Sequence, residues 1–223
     1  MERTVSPESG VASCARVYER VAAIYDVLDA PYEFLWKRSL RRAVFQGVGG
    51  RILDLGVGTG CNMEFYPPGA RVVGLDHSAA MLTRAGTRVR RLGLPVDLIC
   101  RDARQTGLPD ASFDVAVATF VFCCIPLAVQ LPVLRELRRL VRRDGEVRIL
   151  DYTLARHRSL RSFMRVMQPW LATMFSARYD NHPEPHFMAA GFSVVTRRAF
   201  MGGSVVLHVL RPYDETSSDA CDQ

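Results

Sequence analysis

Asp54-Leu55-Gly56-Val57-Gly58-Thr59-Gly60 is the stretch that decides the fold. It follows a short apolar run, Arg51-Ile52-Leu53-Asp54-Leu55, which reads as a buried strand. Three glycines in five positions let a backbone turn sharply and approach a ligand without Cβ clashes. A dinucleotide-binding turn needs G-x-G-x-x-G, with the third glycine at position 61. Cys61 stands there and the third glycine comes one residue early, at Gly60, so the spacing disfavours a pyrophosphate ligand.

Outward from this loop, strand and helix patterns alternate. Residues 71–76 form a second strand, beyond the turn Pro67-Pro68-Gly69. Ser78 caps a helix over 79–92 that stops at Gly93. Residues 96–100 make a third strand and 113–121 a fourth. A helix follows over about 128–142, with Arg135, Arg138, Arg139 and Arg142 on one side. Residues 146–152 make a fifth strand, and 192–200 and 204–209 pair as a closing hairpin around Gly202-Gly203. The expected architecture is a single α/β domain, a doubly wound and mostly parallel seven-stranded sheet with a C-terminal antiparallel hairpin. Residues 11–46 carry helical spacing interrupted by Pro31 and form an N-terminal helical lid over the core of residues 47–152. Residues 153–213 supply a substrate-side helix and the hairpin, and 1–10 and 214–223 read as disordered ends.

In such a sheet a ligand sits beyond the carboxyl ends of the strands. Asp76 closes the second strand, where a carboxylate accepts hydrogen bonds from both ribose hydroxyls of an adenosine ligand. Capping of the next helix is its competing role. Asp102 follows the third strand, where it can accept from an adenine amine while the Ala103 N–H faces a ring nitrogen; a solvated turn is the alternative. Asp114 lies at the opposite end of its strand and reads as structural.

The 223 residues, 48% of them hydrophobic, suit one domain with a sizeable core. Only Lys37 among the 29 basic residues is lysine, which leaves lysine chemistry almost no candidates. The net charge is +6, and without the four acids of the tail 214–223 the body carries 29 bases against 19 acids, or +10. That excess suits an anionic partner, either a membrane surface or a nucleic acid, or else arginine-rich composition on a solvated surface. The six cysteines show no C-x-x-C or zinc spacing; Cys100, Cys123 and Cys124 read as buried thiols of a protein in a reducing cytosol. Two prolines break the stretch His182-Pro183-Glu184-Pro185-His186, and no third metal ligand is evident. Residues 1–10 hold no signal-peptide core, and the longest apolar run, 115–129, is too short and too broken by Pro126 to span a membrane.

Ile52-Leu53-Asp54-Leu55-Gly56-Val57-Gly58-Thr59-Gly60, Val73-Gly74-Leu75-Asp76-His77-Ser78 with Met81-Leu82, Leu108-Pro109-Asp110 and Ser112-Phe113-Asp114 together resemble the class I S-adenosylmethionine-dependent methyltransferases. The likeness runs from about residue 18 to 152. Within that superfamily the chain is similar to the ubiquinone/menaquinone type and to bacterial phospholipid N-methyltransferases, through Tyr18, Ala22, Tyr25-Asp26, Asn62 and Tyr66-Pro67-Pro68-Gly69. It departs at Arg142-Arg143-Asp144-Gly145, where those families usually show Arg-Pro-Gly-Gly. The resemblance implies that S-adenosyl-L-methionine is held by Asp54, Gly56, Gly58 and Gly60 at its methionine end, by Asp76 at the ribose and by Asp102 and Ala103 at the adenine. Thr119 and Phe120 would close its floor, with Met81 and His77 packing on the adenine; His77 as an exposed loop residue is the other reading.

Methyl transfer from a sulfonium needs mainly positioning, and a base only where the acceptor is protonated. Tyr18, Tyr25, Tyr152 and Tyr179 are the acceptor-side candidates, since rings also suit a choline-like cation; packing is their competing role. Leu160, Phe163, Met164, Met167, Trp170, Leu171, Met174 and Phe175 form a helical stripe flanked by Arg156, Arg158, Arg161, Arg165 and Arg178. Such a helix lies in a membrane interface or packs as a lid. Trp36, Lys37, Arg38, Arg41 and Arg42 form a second basic aromatic cluster. Together these features favour an amphiphilic acceptor, a phospholipid amine such as phosphatidylethanolamine above all, and a cytoplasmic protein with peripheral contact to an anionic inner membrane face. Methylation of a quinone or other aromatic acceptor uses the same donor site. A nucleic-acid methyltransferase lacks support after the fourth strand, where Phe122-Cys123-Cys124-Ile125-Pro126 stands, and a nicotinamide oxidoreductase requires the dinucleotide spacing that is missing. Neither a nucleic acid nor a metal is expected as a partner.

Overall fold

The computed structural model describes residue 30 and residues 33–213. A π-turn at Glu33–Lys37 leads into α1, Arg38–Phe45. The core then alternates β1 (Arg51–Leu55), β2 (Arg71–Asp76), α2 (Ala79–Leu92), β3 (Val96–Cys100), β4 (Phe113–Thr119), α3 (Leu127–Leu140) and β5 (Val141–Tyr152). Helix α4 (Arg158–Phe175) precedes the hairpin of β6 (Phe192–Phe200) and β7 (Val205–Pro212). The sheet order is β3-β2-β1-β4-β5-β7-β6. The first five strands run parallel; β7 lies antiparallel to β5, and β6 antiparallel to β7. This is the expected seven-stranded α/β sheet with its closing hairpin.

The apolar strands are covered on both faces because successive side chains point to opposite sides. Leu53 and Leu55 of β1 pack with Val129, Val133, Leu134 and Leu137 of α3. Ile52, the residue before Leu53, points to the opposite face and packs with Leu40, Val44 and Phe45 of α1. The Ser78 hydroxyl accepts from the Met81 N–H at 3.3 Å, and Gly93 ends α2 in a left-handed conformation, as its cap residues dictate.

Several boundaries move. β4 ends at Thr119, two residues early, because Phe120 takes a positive φ of 58°. α3 stops at Leu140, and Arg142 belongs to β5, which begins at Val141 and shifts its register against β4 between Phe113 and Val115. Thus 142–145 is strand. The bend needs glycine at 145, where a Cβ would come within 2.6 Å of the Asp114 carbonyl oxygen. Asp114 accepts from the Arg51 N–H at 2.7 Å and pairs with Arg142, a structural role at the strand's amino end. β7 reaches Pro212, three residues past 209. The proposed disordered ends, Tyr18, Tyr25 and the lid residues before 30 lie outside the described residues.

Candidate active site

The strand order reverses between β1 and β4, and a ligand crevice is expected at such a switch point. A cleft of about 1110 Å³, partly open to solvent, lies there. The loop after β1 supplies Gly56, Val57, Gly58 and Thr59, and the loop after β4 supplies Phe120 and Val121. Gly56 has φ of +68°, and a Cβ on it would stand 2.5 Å from a Val121 methyl, so both conformation and closeness demand glycine. The Gly58 and Ser78 N–H groups each donate at 2.9 Å to Asp76, one to each carboxylate oxygen. Asp76 thus ties the glycine loop to the start of α2, while each oxygen keeps a lone pair for a ligand hydroxyl. Burial raises its pKa above the ordinary carboxylate value, against those two N–H bonds.

His77, Met81, Asp102, Ala103, Thr119 and Phe120 also line the cleft. Met81 is buried at its wall and His77 is exposed at its mouth. Asp102 is forked by Arg104, with Nε at 3.0 Å and Nη2 at 2.6 Å from one oxygen, and this pairing lowers its pKa. The backbone edges and paired carboxylates fit an adenosine ligand with a short charged tail.

Asp54 and Gly60 are not in the lining. Asp54 is fully buried; its oxygens accept from Asn62 Nδ2 at 2.9 and 3.0 Å and from the Tyr66 hydroxyl at 2.5 Å. Burial pushes its pKa up to about 6 despite these bonds. Asn62 in turn accepts from Arg41 Nη1 at 2.8 Å, which also donates to Thr119 at 2.8 Å. Glu33 clamps the other side of Arg41 through Nη2 at 2.6 Å. Asp54 therefore anchors a buried network, Glu33–Arg41–Asn62–Asp54–Tyr66, and Arg41 and Thr119 are its members that reach the cleft. Residues 8 to 78 apart in sequence make this network, so no local pattern announces it.

A second cavity of about 1040 Å³ adjoins the first, sharing Phe120 and Cys124 as wall. Trp36, Tyr152 and Tyr179 line it, and their rings connect with Phe120 at centroid distances of 5.0 to 6.1 Å. Lys37 also lines it, buried, with Nζ 4.9 Å from the Phe120 ring centre. This corrects the expectation of a surface cluster at 36–42: Lys37 and Arg41 are interior, and Arg38 pairs with Glu64. Helix α4 roofs the cavity with Leu160, Met164, Met167 and Leu171. Gln168 fastens it by donating to the Ala177 carbonyl at 3.0 Å and accepting from the Tyr179 N–H at 2.9 Å. The stripe of α4 is split between roof and surface: Phe163 is 62%, Val166 76% and Trp170 40% exposed. Among the described cysteines Cys123 is buried and Cys124 partly so, but Cys100, expected inside, is exposed at the end of β3. Glu184, in the His-Pro-Glu-Pro-His stretch, binds Arg197 at 2.7 Å and His208 at 2.6 Å.

Comparison with known proteins agrees with this geometry. A methyltransferase-domain family model matches residues 53–149. A 2-phytyl-1,4-naphthoquinone methyltransferase of Synechococcus elongatus is 31% identical over 73% of this chain and 73% of its own length. A phosphatidylethanolamine N-methyltransferase of Cereibacter sphaeroides is 41% identical over 47% of this chain, and the match spans about half of that enzyme, 51%. A solved DhpI-SAH complex shares the fold, with a TM-score of 0.69 at 23% identity over 91% of this chain and 96% of that one. The chain belongs to the class I S-adenosylmethionine-dependent methyltransferases, and S-adenosylmethionine is its cofactor.

Proposed function

We propose that this methyltransferase alkylates an amphiphile at a membrane surface, with the amine of a phospholipid such as phosphatidylethanolamine as acceptor. The observation that carries the reading is the second cavity. Its aromatic walls and single buried ammonium adjoin the donor cleft, under a helix whose outer face is apolar. The bound cofactor supplies an already activated methyl group, so the protein's work is alignment and exclusion of water. Gly56, Gly58 and Asp76 hold the donor side. Tyr152 and Tyr179 offer ring faces to a cationic amine, and Lys37 offers charge to an adjacent phosphate. The acceptor nitrogen must be neutral to attack, and it sheds its proton before or as the new bond forms. Phe163, Val166 and Trp170, with Arg158 and Arg165 on the same helix, suit the interface of an anionic leaflet on the cytoplasmic side. Among the described residues no helix is long and apolar enough to cross a membrane.

A quinol acceptor is the second reading. It is favoured by the naphthoquinone methyltransferase relative and by ring walls suited to stacking. Both are separated by one assay: purified protein, methyl-deuterated S-adenosylmethionine and mixed vesicles of phosphatidylethanolamine and phosphatidylglycerol, beside a panel of quinols. Label in the lipid amine is the expected result. Label confined to a quinol replaces the first reading with the second.

A further inference from the structure

Two thiols stand at the partition between the cavities. Cys123 and Cys124 lie in the turn after β4, with Sγ atoms 3.6 Å apart. Both line the acceptor cavity, and Cys124 lines the donor cleft as well. Their backbone is held from three sides. The Cys123 N–H donates to Asp151 at 3.0 Å, the Arg178 N–H donates to the Cys123 carbonyl at 3.0 Å, and Asn181 Nδ2 donates to the Phe122 and Cys123 carbonyls at 3.0 and 3.2 Å. The backbone that carries the two sulfurs is thus held in place.

With sulfur bonds of about 2.3 Å, a single soft centre spans two thiolates 3.6 Å apart at a bond angle of roughly 100°. That angle suits a pyramidal centre. Zinc needs four ligands, and among the described residues no group of three His, Cys, Asp or Glu side chains could hold a metal ion. A centre satisfied by two thiols and one organic substituent meets no such shortage.

We propose that Cys123 and Cys124 form a dithiol site for a trivalent, thiophilic organoarsenical or its antimony counterpart, entered from the acceptor cavity. With an organoarsenic oxide, two S–H bonds break and two As–S bonds form, and the oxide oxygen leaves as water with both protons. Arsenic stays trivalent, so no oxidant is needed. Cys124, the more exposed thiol, reacts first, and Cys123 then closes the ring intramolecularly, with the large effective concentration of a fixed neighbour. Burial beside Asp151 and Cys124 raises the Cys123 pKa well above the ordinary thiol value, so a simple alkylating agent meets little thiolate there. Capture by chelation and resistance to alkylation together distinguish the pair from two independent cysteines. The site stands apart from the identity of the methyl acceptor.

The test uses the full chain and one equivalent of phenylarsine oxide, followed by maleimide labelling and cleavage at arginine. The arginine-bounded peptide 105–135 holds both thiols and no other cysteine. It should carry one phenylarsenic bridge and no maleimide. 1,2-Ethanedithiol should remove the bridge, and an equal concentration of 2-mercaptoethanol should not. Cys124→Ser should weaken capture at least 100-fold. Arsenic on Cys61 or Cys100 instead, arsenic on one thiol of the pair, release by the monothiol, or undiminished capture by the variant overturns the proposal. The first three readouts come from the unaltered chain and do not depend on the variant folding.

Discussion

The cofactor cleft and the second cavity, the proposed acceptor site, share a wall at Phe120 and Cys124 but are built on different principles. The donor cleft is backbone and carboxylate: glycines with positive φ, N–H groups fixed on Asp76, and Asp102 locked to Arg104. The acceptor cavity is side-chain surface drawn from α1's approach, the loop after β4, the end of β5, α4 and residue 179. Parallel strands bring their carboxyl ends to one line whatever the side chains, so a donor site placed there is set by topology. An aromatic cavity is set by packing, which admits substitution when volume is kept. The first region should therefore tolerate little change and the second should tune specificity. Phe120, a bulky residue with φ of 58°, sits at the join, where backbone strain is expected at a functional site.

The largest effect should come from Gly56→Ala. Its Cβ would meet Val121 at 2.5 Å in a conformation that disfavours alanine. Loss of S-adenosylmethionine affinity by roughly 100-fold or more, measured calorimetrically, is the expected outcome for a strain of about 3 kcal/mol. Binding within a few-fold of wild type would show that the two loops are not closed on each other.

Asp76→Ala should weaken the same affinity about 10- to 100-fold, the 1–3 kcal/mol of lost hydrogen bonds to the loop and to ligand hydroxyls. Asp76→Asn should keep part of it. Tyr179→Ala and Trp36→Ala sharpen the contrast from the other side. Each removes a ring from the acceptor cavity and should raise the acceptor KM about tenfold, for an aromatic contact of about 1 kcal/mol plus buried area. The cofactor affinity should stay within about twofold.

Replacing Phe163, Val166 and Trp170 together by serine should lower binding to anionic vesicles about tenfold, because only their exposed area is lost from the interface. Transfer to a short-chain, detergent-dispersed acceptor should change little. A variant that keeps its vesicle affinity assigns the outer face of α4 no membrane role.

A separate effect, on stability and not on affinity, is one of pH. Asp54 holds its proton up to about pH 6 in the fold, against an ordinary 3.8. Its contribution to stability is therefore fully present below about pH 3.8 and is lost as pH rises through about 6. Asp151, also pushed up to about 6 by burial, behaves alike. Asp54→Asn should flatten the fall of the melting temperature between pH 4 and 6, by several degrees in a chain of this size. An unchanged profile would mean that Asp54 stays ionised within its network.

The same division explains what the residues disclosed before the fold was seen. The strands, the cap at Ser78, the glycine loop and the strand-end carboxylates Asp76 and Asp102 obey local rules of period, turn and cap, and they are readable in order. Asp54 is legible only in part: a carboxylate before a glycine loop reads as a ligand group, and its bonds to Asn62 and Tyr66 come from tertiary packing. Arg41 and Lys37 look like surface charge in a run of basic residues, yet Arg41 finds Glu33, Asn62 and Thr119 inside. Burial of a cation with its partners is a tertiary event that composition does not announce. On α4 the full apolar stripe is legible, but its partition between a roof and an exposed face depends on what it packs against.

The most direct test of the two-region account is a pair of calorimetric titrations of S-adenosylmethionine, into Asp76→Ala and into Trp36→Ala, each beside the wild-type chain. The account predicts at least a tenfold loss for the first and a change within twofold for the second. Equal losses in both, or a loss only in Trp36→Ala, would contradict a donor cleft held by backbone and carboxylate apart from an aromatic acceptor cavity.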